Sequence, residues 1–442
     1  MPRPTPLSGF PEWLPAERIV ELQVIERLRR TFEMWGFAPL ETRAVEPLDQ
    51  LLRKGEIDKE VYVLRRLQAD PDDEGDAGLA LHYDLTVPFA RYVLERSGHL
   101  QFPFKRYQIQ RCWRGERPQE GRYREFTQAD LDVVGAGDLP FHYEAELPLV
   151  VFEAMDGLPL PPLRMQVNNR KVSQGFFRSL GLEDLGGVLR LVDKLDKIGP
   201  DRVGDALQAE AGASPAQAKA VLEFADIRAE DSSVAERVLR LGGDDPMLSE
   251  GLAELVRVVE TARQNAPGRL VADLRIARGL DYYTGTVYET QLVGHEDLGS
   301  VCSGGRYDNL ASSGDDRYPG VGLSVGVTRL LSRVFSKGLV TASRKVPTCV
   351  LVALPAEERR TECDQVAAGL RRRGVAAEVA PAPDKYGKQI RYADRRGIPF
   401  VWFPQDDGTH EVRDIRSGEQ VPADPDSWMP PGADLHPSLT PS

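Results

Sequence analysis

Cysteine is scarce in this chain of 442 residues, which has four: Cys112, Cys302, Cys349 and Cys363. They lie far apart and lack C-x-x-C spacing, so the sequence argues against a disulfide framework or a zinc site, and we predict no protein-bound metal centre. Long apolar runs that could span a bilayer are also lacking. Prolines in the N-terminal "MPRPTPLSGFPEWLP" do not suit a signal peptide. We therefore expect a cytoplasmic protein with no membrane partner.

An overall excess of positive charge is lacking as well, since the formal net charge is -12. This argues against a uniformly basic nucleic-acid binder, yet two segments are locally basic. Residues 105–124, "KRYQIQRCWRGERPQEGRYR", hold seven Lys and Arg against two Glu, and residues 345–403 hold eleven against seven acids. The planar guanidinium group of arginine can bind two phosphate oxygens at once. The first segment therefore predicts an anion-binding site, and the second segment predicts an RNA-binding face. The alternative for the first segment is a solvated loop, and the alternative for the second is a charged helix surface.

The length and the hydrophobic content of 41% predict a globular chain of two or three domains. Helical and strand patterns alternate around a long polar loop, become helical from 170 to 262, and restart as a small α/β pattern from 348 to 403. We predict an α+β fold whose core is an antiparallel sheet, with a helical insertion and a C-terminal α/β domain. The predicted boundaries are a flexible leader at 1–15, a core at 16–169 and 263–337, an insertion at 170–262, a second domain at 345–424 and a disordered tail at 425–442.

Two short stretches are candidates for a chemical site. "RGLDYYTGTVYE", residues 278–289, sets a cation, a carboxylate and two phenols side by side, although a β-hairpin would also explain it. "GVGLSVGVTR", residues 320–329, allows close backbone approach before a helix, but helix packing explains such glycines equally well. Arginines from both stretches, together with Arg114, could surround one polyphosphate.

Three stretches in order, "FAPLETRAVEPL", "RCWRGERPQEGRYREFTQADLDVVG" and "YPGVGLSVGVTRL", resemble the signature motifs of class II aminoacyl-tRNA synthetases. "RGLDYYTGTVYE" and "SVCSGGRYD" resemble the signatures of histidyl-tRNA synthetases within that class. The resemblance covers nearly the whole chain. It implies a class II antiparallel-sheet core, an anticodon-binding C-terminal domain and a homodimer built through the first motif. The implied reaction is ATP-dependent activation of L-histidine to histidyl-adenylate, with release of pyrophosphate, followed by transfer to the 3′ end of tRNA(His).

The resemblance also assigns roles to individual residues, with Arg278 and Arg114 on the α-phosphate and Mg²⁺ bridging the phosphates of ATP. Within the histidine site, Asp132 and Tyr283 would meet the two imidazole nitrogens, which are a donor and an acceptor. The implied histidine-binding residues are Asp84, Leu85, Thr86, Arg114, Gln128, Asp132, Arg278, Tyr282, Tyr283, Gly304 and Gly305. The implied ATP-binding residues are Arg114, Glu116, Phe126 and Arg329, and those near the tRNA acceptor end are Gln119, Arg122 and Arg124.

The chain departs from the family pattern at Asp84 and Asp132, where glutamate is common, and at Thr328 and Asn309. Two other functions stay open at the level of sequence. One is a silent paralogue that binds histidine, like the synthetase-like regulatory subunit of ATP phosphoribosyltransferase, although such subunits usually lack the C-terminal domain and part of the arginine set. The other is a duplicated enzyme that activates histidine for another acceptor.

Overall fold

The structure is a computed structural model that describes residues 4–52, 60–68, 78–277 and 282–441. Contacts divide the chain into a first unit, Met1–Pro11 with Ile25–Arg333, and a second unit, Glu12–Val24 with Val334–Ser442. The predicted insertion at 170–262 groups with the first unit. The C-terminal part of the second unit begins eleven residues before the predicted position 345. The second unit also includes residues 16–24 of the predicted core, because the division between the units falls inside the first helix, after Val24.

Twenty strands and fourteen α-helices are present in the described part of the chain, with four short 3₁₀ turns. The helices are α1 (Pro15–Met34), α2 (Leu48–Leu51), α3 (Thr86–Arg96), α4 (His142–Asp156), α5 (Arg170–Ser179), α6 (Leu185–Val192), α7 (Leu195–Ile198), α8 (Pro200–Glu210), α9 (Pro215–Ala225), α10 (Ser233–Arg240), α11 (Pro246–Asn265), α12 (Val327–Ser336), α13 (Arg360–Arg372) and α14 (Tyr386–Arg396).

The strands follow the same chain order. They are β1 (Ala38–Pro39), β2 (Val45–Pro47), β3 (Leu79–Leu81), β4 (Phe104–Trp113), β5 (Glu125–Val134), β6 (Leu163–Asn169), β7 (Arg228–Ala229), β8 (Leu270–Asp273), β9 (Thr286–Leu292), β10 (Cys302–Tyr307), β11 (Ser312–Ser313), β12 (Asp316–Arg317), β13 (Gly320–Gly326), β14 (Val340–Ala342), β15 (Val350–Val352), β16 (Ala377–Val379), β17 (Phe400–Pro404), β18 (His410–Asp414), β19 (Gln420–Pro422) and β20 (Leu439–Pro441).

The first unit is built around a nine-stranded sheet in the order β1-β4-β5-β13-β10-β9-β6-β8-β7. All neighbours are antiparallel except β1 with β4 and β6 with β8. The central strands β5 and β13 are rich in buried residues. This confirms the predicted α+β fold with an antiparallel sheet, and it sets β5, β13 and β10 side by side at the sheet centre.

Helices α5 to α11 lie in and just beyond the range where the sequence predicts an insertion. Local signals explain their starts: Ser214 caps α9 in a reciprocal capping box with Gln217, and Asp245 caps α11, each followed by a proline at the first helical position. Helix α5 packs closely on α11, and the three buried rings of Phe176, Phe177 and Phe224 contact one another.

The second unit contains a five-stranded sheet in the order β16-β15-β17-β18-β19. Strands β16, β15 and β17 run parallel, while β18 and β19 are antiparallel additions. Buried apolar residues of β15, β17 and α13 form its core. This is the small α/β domain predicted from the strand and helix alternation after residue 348.

The structure corrects the predicted disordered tail at 425–442. Trp428 packs edge-on against Phe400 and Trp402, with ring centroids 5.5 and 5.6 Å apart. Strand β20 pairs with β14, and the Arg344 guanidinium donates to the Asp434 carbonyl at 2.7 Å. The proline-rich composition suggested disorder, but the half-buried Trp428 ring and one strand pairing hold this segment against the second unit.

The predicted flexible leader at 1–15 also makes specific contacts. The Gly9 carbonyl accepts hydrogen bonds from two backbone N–H groups of the first unit, and the Trp13 ring lies 5.0 Å from that of Phe335 in the second. All four cysteines are buried free thiols. No helix in the described residues is both long enough and apolar enough to cross a membrane.

Candidate active site

The candidate site lies over the central strands of the nine-stranded sheet. Along β5, the residues Gln128, Asp130 and Asp132 alternate with apolar positions, so they share one face of the sheet. In the antiparallel pairing with β13, Asp130 lies opposite Ser324 and Asp132 opposite Gly322. Two carboxylates and an amide are therefore presented on one face, beside the glycine-bearing strands β10 and β13.

A small cavity of about 20 Å³ opens above these residues. It brings together five residues that the sequence assigned to histidine binding, namely Thr86, Asp132, Tyr282, Tyr283 and Gly304. Its wall also contains six residues that sequence reasoning missed, namely Asp130, Ser303, Tyr307, Gly322, Leu323 and Ser324. Stretches that are up to 238 residues apart in the chain thus meet in one place, and eight of the eleven lining residues carry a polar group on the side chain.

Asp132 is held by strong contacts inside the protein. One carboxylate oxygen lies 2.6 Å from Nη2 of Arg106, and the other accepts a hydrogen bond from the Tyr307 hydroxyl at 2.8 Å. Arg106 is fully buried, with its guanidinium 4.2 Å from the centre of the Phe89 ring. Burial, and then the adjacent Asp132 carboxylate, hold the pKa of Tyr307 well above its ordinary value. The charge of Asp132 therefore balances a buried guanidinium as well as facing the cavity.

Asp130 is a second buried carboxylate in the same wall. Its Oδ1 accepts a hydrogen bond from the Ser324 hydroxyl, whose oxygen in turn accepts from the Gln128 amide at 2.7 Å. Burial raises the pKa of Asp130 to about 7, against a smaller lowering effect of Arg106. The alternation in "QADLD" could have revealed this residue from sequence, because it places positions 128, 130 and 132 on one face.

Replacing Asp130 with asparagine should change how stability depends on pH. The folded pKa of about 7 lies above the ordinary value of 3.8. The folded state therefore keeps a proton that the unfolded state has lost, and the free energy of unfolding of the wild type falls as pH rises from about 4 to 7. Three pKa units correspond to about 4 kcal/mol at most. Asparagine keeps an oxygen for Ser324 without this penalty.

Denaturant midpoints at pH 5 and pH 8, without histidine, measure this effect. The midpoint of Asp130→Asn relative to wild type should be higher at pH 8 than at pH 5. The same substitution at the exposed Asp315 is the matched control, and its difference from wild type should not grow with pH. An equal shift of Asp130→Asn at both pH values would contradict the raised pKa.

The segment before α3 has a capping role in addition to its predicted one. Asp84 is buried, and its Oδ1 accepts from the backbone N–H of Val87 at 3.1 Å, in the first turn of the helix. The Leu85 carbonyl accepts from Arg106 at 3.5 Å. Thr86 reaches the small cavity, whereas Asp84 and Leu85 are not part of its described lining. These two residues thus connect the helix start to the buried arginine.

Glycines 304 and 305 are required by close packing. A Cβ on Gly304 would lie 1.9 Å from the Gly322 carbonyl oxygen, and one on Gly305 would lie 2.5 Å from that of Thr286 and 3.0 Å from the Tyr283 ring. Gly304 borders the cavity, while Gly305 lets Tyr283 approach the strand. The rings of Tyr282 and Tyr283 are 4.1 Å apart, and burial raises the pKa of Tyr282 above its ordinary value. The preceding Arg278 lies outside the described residues.

A larger cavity of about 250 Å³ shares Ser303 and Ser324 with the small one. It contains all four residues assigned to ATP, together with Gln128 and Arg122. The described lining is Arg114, Glu116, Gly121, Arg122, Tyr123, Phe126, Gln128, Ser300, Val301, Cys302, Ser303, Ser324, Gly326 and Arg329. A bound molecule could thus pass from a pocket with three arginines into the carboxylate-lined cavity.

The arginines of the larger cavity are held by specific contacts. Nε of Arg114 donates to the Tyr83 carbonyl at 3.0 Å, and its guanidinium carbon lies 5.0 Å from the centre of the Phe126 ring. Arg329 donates to the carbonyl of Leu298. Glu116 lies 3.5 Å from Arg122 and 3.9 Å from Arg114. The cavity therefore combines fixed guanidinium groups with a flat aromatic surface, as an adenine nucleotide requires.

The residues assigned to the tRNA acceptor end lie on the polar loop between β4 and β5. The backbones of Gln119 and Arg122 form reciprocal hydrogen bonds of 3.0 and 2.9 Å, which close the tip of the loop. The Arg122 side chain is 49% exposed, and Arg124 donates to the Glu116 carbonyl at 3.3 Å. Arg122 borders the larger cavity, whereas Gln119 and Arg124 are absent from its described lining.

Known proteins resemble this chain along its whole length. The family model "Histidyl-tRNA synthetase" matches residues 9–330, and the model "Anticodon binding domain" matches residues 348–429. A curated histidine–tRNA ligase of Micrococcus luteus is 61% identical over 99% of both chains, and that of Cutibacterium acnes is 57% identical over the same shares.

Solved structures also resemble this chain over most of its length. The crystal structure of histidyl-tRNA synthetase from Nostoc sp. PCC 7120 matches with a TM-score of 0.86 and 36% identity, over 96% of this chain and 97% of that one. A Bacillus halodurans protein described as an ATP phosphoribosyltransferase regulatory subunit/histidyl-tRNA synthetase matches with a TM-score of 0.73 over 88% and 96% of the chains. At 19% identity, this second likeness shows the fold alone.

Proposed function

The chain belongs to the histidyl-tRNA synthetase family, and on that premise we propose which of its side chains activate histidine and which meet the tRNA. It is a histidine–tRNA ligase, which activates L-histidine with ATP to histidyl-adenylate, releases pyrophosphate and transfers histidine to the 3′ end of tRNA(His). The observation that carries the residue assignment is the wall of Ser303 and Ser324 common to both cavities. A histidine in the small cavity and a nucleotide in the larger one would meet at these two residues, with the histidine carboxylate next to the α-phosphate.

In the activation step, a carboxylate oxygen of histidine forms a bond to the α-phosphorus while the bond to pyrophosphate breaks. Negative charge gathers on the five-coordinate phosphorus, and fixed guanidinium groups stabilise it. We assign this role to Arg114, which lies in the larger cavity, and to Arg278 from its place in the signature "RGLDYY". Phe126 and Arg329 would enclose the adenine ring, and Glu116 would accept from its amino group.

We assign the α-ammonium group of histidine to Asp84, Thr86 and Gln128, and the imidazole to Asp132 and Tyr283. The support is that Thr86, Asp132 and Tyr283 line one small cavity, while Gln128 lines the larger one and donates to Ser324, which both cavities share. A donor and an acceptor on opposite sides match the two nitrogens of a neutral imidazole. Tyr282, Gly304 and Gly305 complete the pocket by packing, and Leu85 contributes its backbone.

Mg²⁺ is proposed to enter with ATP. This ion keeps several waters and usually binds through one or two carboxylates and the substrate phosphates. Glu116 is the one carboxylate in the described lining of the larger cavity, and we assign it to adenine. The ion would therefore be held mainly by phosphate oxygens, whose charge it would neutralise.

We propose that the enzyme is a cytoplasmic homodimer. Strand β1 forms one edge of the nine-stranded sheet, and the adjacent helix end carries Met34, which is 79% exposed. An edge strand beside an exposed apolar side chain suits pairing with a second copy. Sedimentation should give twice the mass of 49.1 kDa, and a fully active monomer would contradict the dimer.

Pyrophosphate exchange followed by charging of tRNA(His) tests the whole assignment. Exchange that depends on histidine, followed by charging, is the expected result. Exchange without charging would point to a duplicated enzyme with another acceptor. Histidine binding without exchange would identify a silent paralogue.

The anticodon face is proposed to include one side of α14. Lys388, Arg391 and Arg395 are exposed and spaced three and four residues apart, so they lie on the same side of the helix. Cations of this kind supply much of RNA affinity by displacing counterions from phosphates.

Replacing Lys388, Arg391 and Arg395 together with alanine should lower tRNA charging at subsaturating tRNA by about 10- to 100-fold, because three phosphate contacts are lost. Histidine-dependent pyrophosphate exchange should stay near the wild-type rate. The matched control is a double alanine variant of Arg371 and Arg372, which are exposed on α13 of the same unit. If the control loses as much charging, the effect comes from total charge and not from this face.

These point variants are preferable to deleting residues from 343 onward, which would remove the domain predicted at 345–424. Residues Glu12–Val24, which include the first half of α1, belong to the second unit by their contacts. A truncation would remove most of that unit and leave the apolar side chains of this helical segment without their packing partners.

A further inference from the structure

A segment near the N-terminus is bound to the base of the polar loop at residues 114–124. The Gly9 carbonyl accepts hydrogen bonds from the backbone N–H groups of Arg124 at 2.7 Å and Glu125 at 3.1 Å. Phe10 contacts Tyr62, with ring centroids 6.5 Å apart. The segment is thus attached where the loop ends and β5 begins.

The position of this carbonyl requires glycine. Gly9 has a φ of +85°, a region that residues with a side chain rarely adopt. A Cβ there would also lie 2.8 Å from Cγ of Pro118 and 2.9 Å from Cγ of Arg124. Both strain and contact therefore oppose any side chain, and the two neighbours to be displaced belong to the loop itself.

The loop base is also where the nucleotide-binding residues are positioned. The N–H of Arg114 donates to the Arg124 carbonyl at 2.9 Å, which joins the two ends of the loop. Phe126 follows two residues later and lies 5.0 Å from the Arg114 guanidinium. A shift of Arg124 would therefore move Arg114 and Phe126 relative to each other.

We infer that Gly9 is a positioning residue for ATP, which acts by holding the loop base so that Arg114 and Phe126 keep their places in the larger cavity. The inference rests on the proposed nucleotide site. The small cavity for histidine is lined by residues of other segments, with Asp130 and Asp132 further along β5. The effect of Gly9 should thus fall on the nucleotide more than on the amino acid.

The test measures KM for ATP and for histidine, and kcat, in pyrophosphate exchange. Gly9→Ala should raise KM for ATP by about 10- to 100-fold, the range for a displacement of about 1 Å, and leave KM for histidine within about twofold. The matched control is Gly212→Ala, where φ is +66° and no atom lies within 4 Å of an added Cβ, so it tests backbone strain alone. Its two KM values should match the wild type.

A second variant, deletion of residues 2–11, removes this carbonyl together with the Phe10 ring, adds no clash and should give the same separation of the two KM values. Unchanged KM for ATP, or equal rises for ATP and histidine, would overturn the positioning role. So would loss of the folded state in both variants, since Gly9 would then act on stability. A wild-type rate for Arg114→Ala would instead show that the nucleotide site itself is misassigned, independently of Gly9.

Discussion

Replacing Arg114 with alanine should slow histidyl-adenylate formation by about 10²- to 10³-fold at saturating histidine and ATP, the usual effect of losing one fixed electrostatic donor. Arg114 is the cation of the larger cavity that is anchored on both sides, by the Tyr83 carbonyl and by the Phe126 ring. In the proposed role of Arg114, the charge to be stabilised grows as the α-phosphorus becomes five-coordinate, so the rate should fall more than the affinity for histidine.

Single-turnover adenylate formation measures this loss. Arg114→Lys should recover little, since one ammonium group cannot replace a planar fork that holds two oxygens. The matched control is Arg111→Ala near the end of β4, three residues before Arg114, because its side chain is 60% exposed and pairs with Glu125. The control should stay within about threefold of wild type, since exposed ion pairs contribute little. A similar loss in both variants would mean that local folding, not phosphate contact, sets the rate.

Asp132→Asn should both destabilise the protein and weaken its selectivity for histidine. The fully buried Arg106 would lose its ionised partner at 2.6 Å, and leaving one charge of a buried pair uncompensated costs about 3–5 kcal/mol. If Asp132 also pairs with the imidazole, discrimination against phenylalanine should fall by a large part of the roughly 10⁴-fold that such a buried polar contact supplies.

A double variant separates the two roles of Asp132. Arg106→Met together with Asp132→Asn removes the uncompensated cation, so the free energy of unfolding should return toward the wild-type value. Selectivity should stay low, because the carboxylate is still missing. The measurements are denaturant midpoints and the ratio of kcat/KM for histidine and phenylalanine. Recovery of selectivity along with stability would show that the ring is read elsewhere in the cavity, with Asp130 the next carboxylate to examine.

The sequence predicted the sheet better than it predicted the site. Alternating strands and a long polar loop were sufficient for the antiparallel core, because these signals are local. The buried contacts of Asp132 were not predictable, since its partners Arg106 and Tyr307 come from strands β4 and β10, which come close to β5 only in the folded sheet. Asp130 was missed for a related reason: its sequence position gives its face, but its surroundings depend on residues of other strands, such as Arg106 on β4 and Ser324 on β13.

The resemblance to the family named segments that meet in the folded chain, without giving their contacts. It brought Arg114, Glu116, Phe126 and Arg329 to one cavity, where the structure also places them. It gave no sign that Gly9 contacts the loop base, because a backbone carbonyl leaves no mark in side-chain chemistry. Composition misled at the C-terminus, where proline content suggested disorder while Trp428 is packed against two aromatic rings.

The common wall of Ser303 and Ser324 also has a consequence for the lifetime of the activated product. Histidyl-adenylate joins an amino acid to a nucleotide, so it would bind as a bivalent ligand with one part in each cavity. When one part dissociates, the other part stays bound and keeps the first at a high effective concentration near its cavity. The free part then rebinds faster than the whole molecule leaves. Separate histidine or AMP has no such advantage. Two cavities of modest affinity could thus retain a reactive intermediate until the tRNA binds. A stable analogue that contains both parts would bind far more tightly than either part alone.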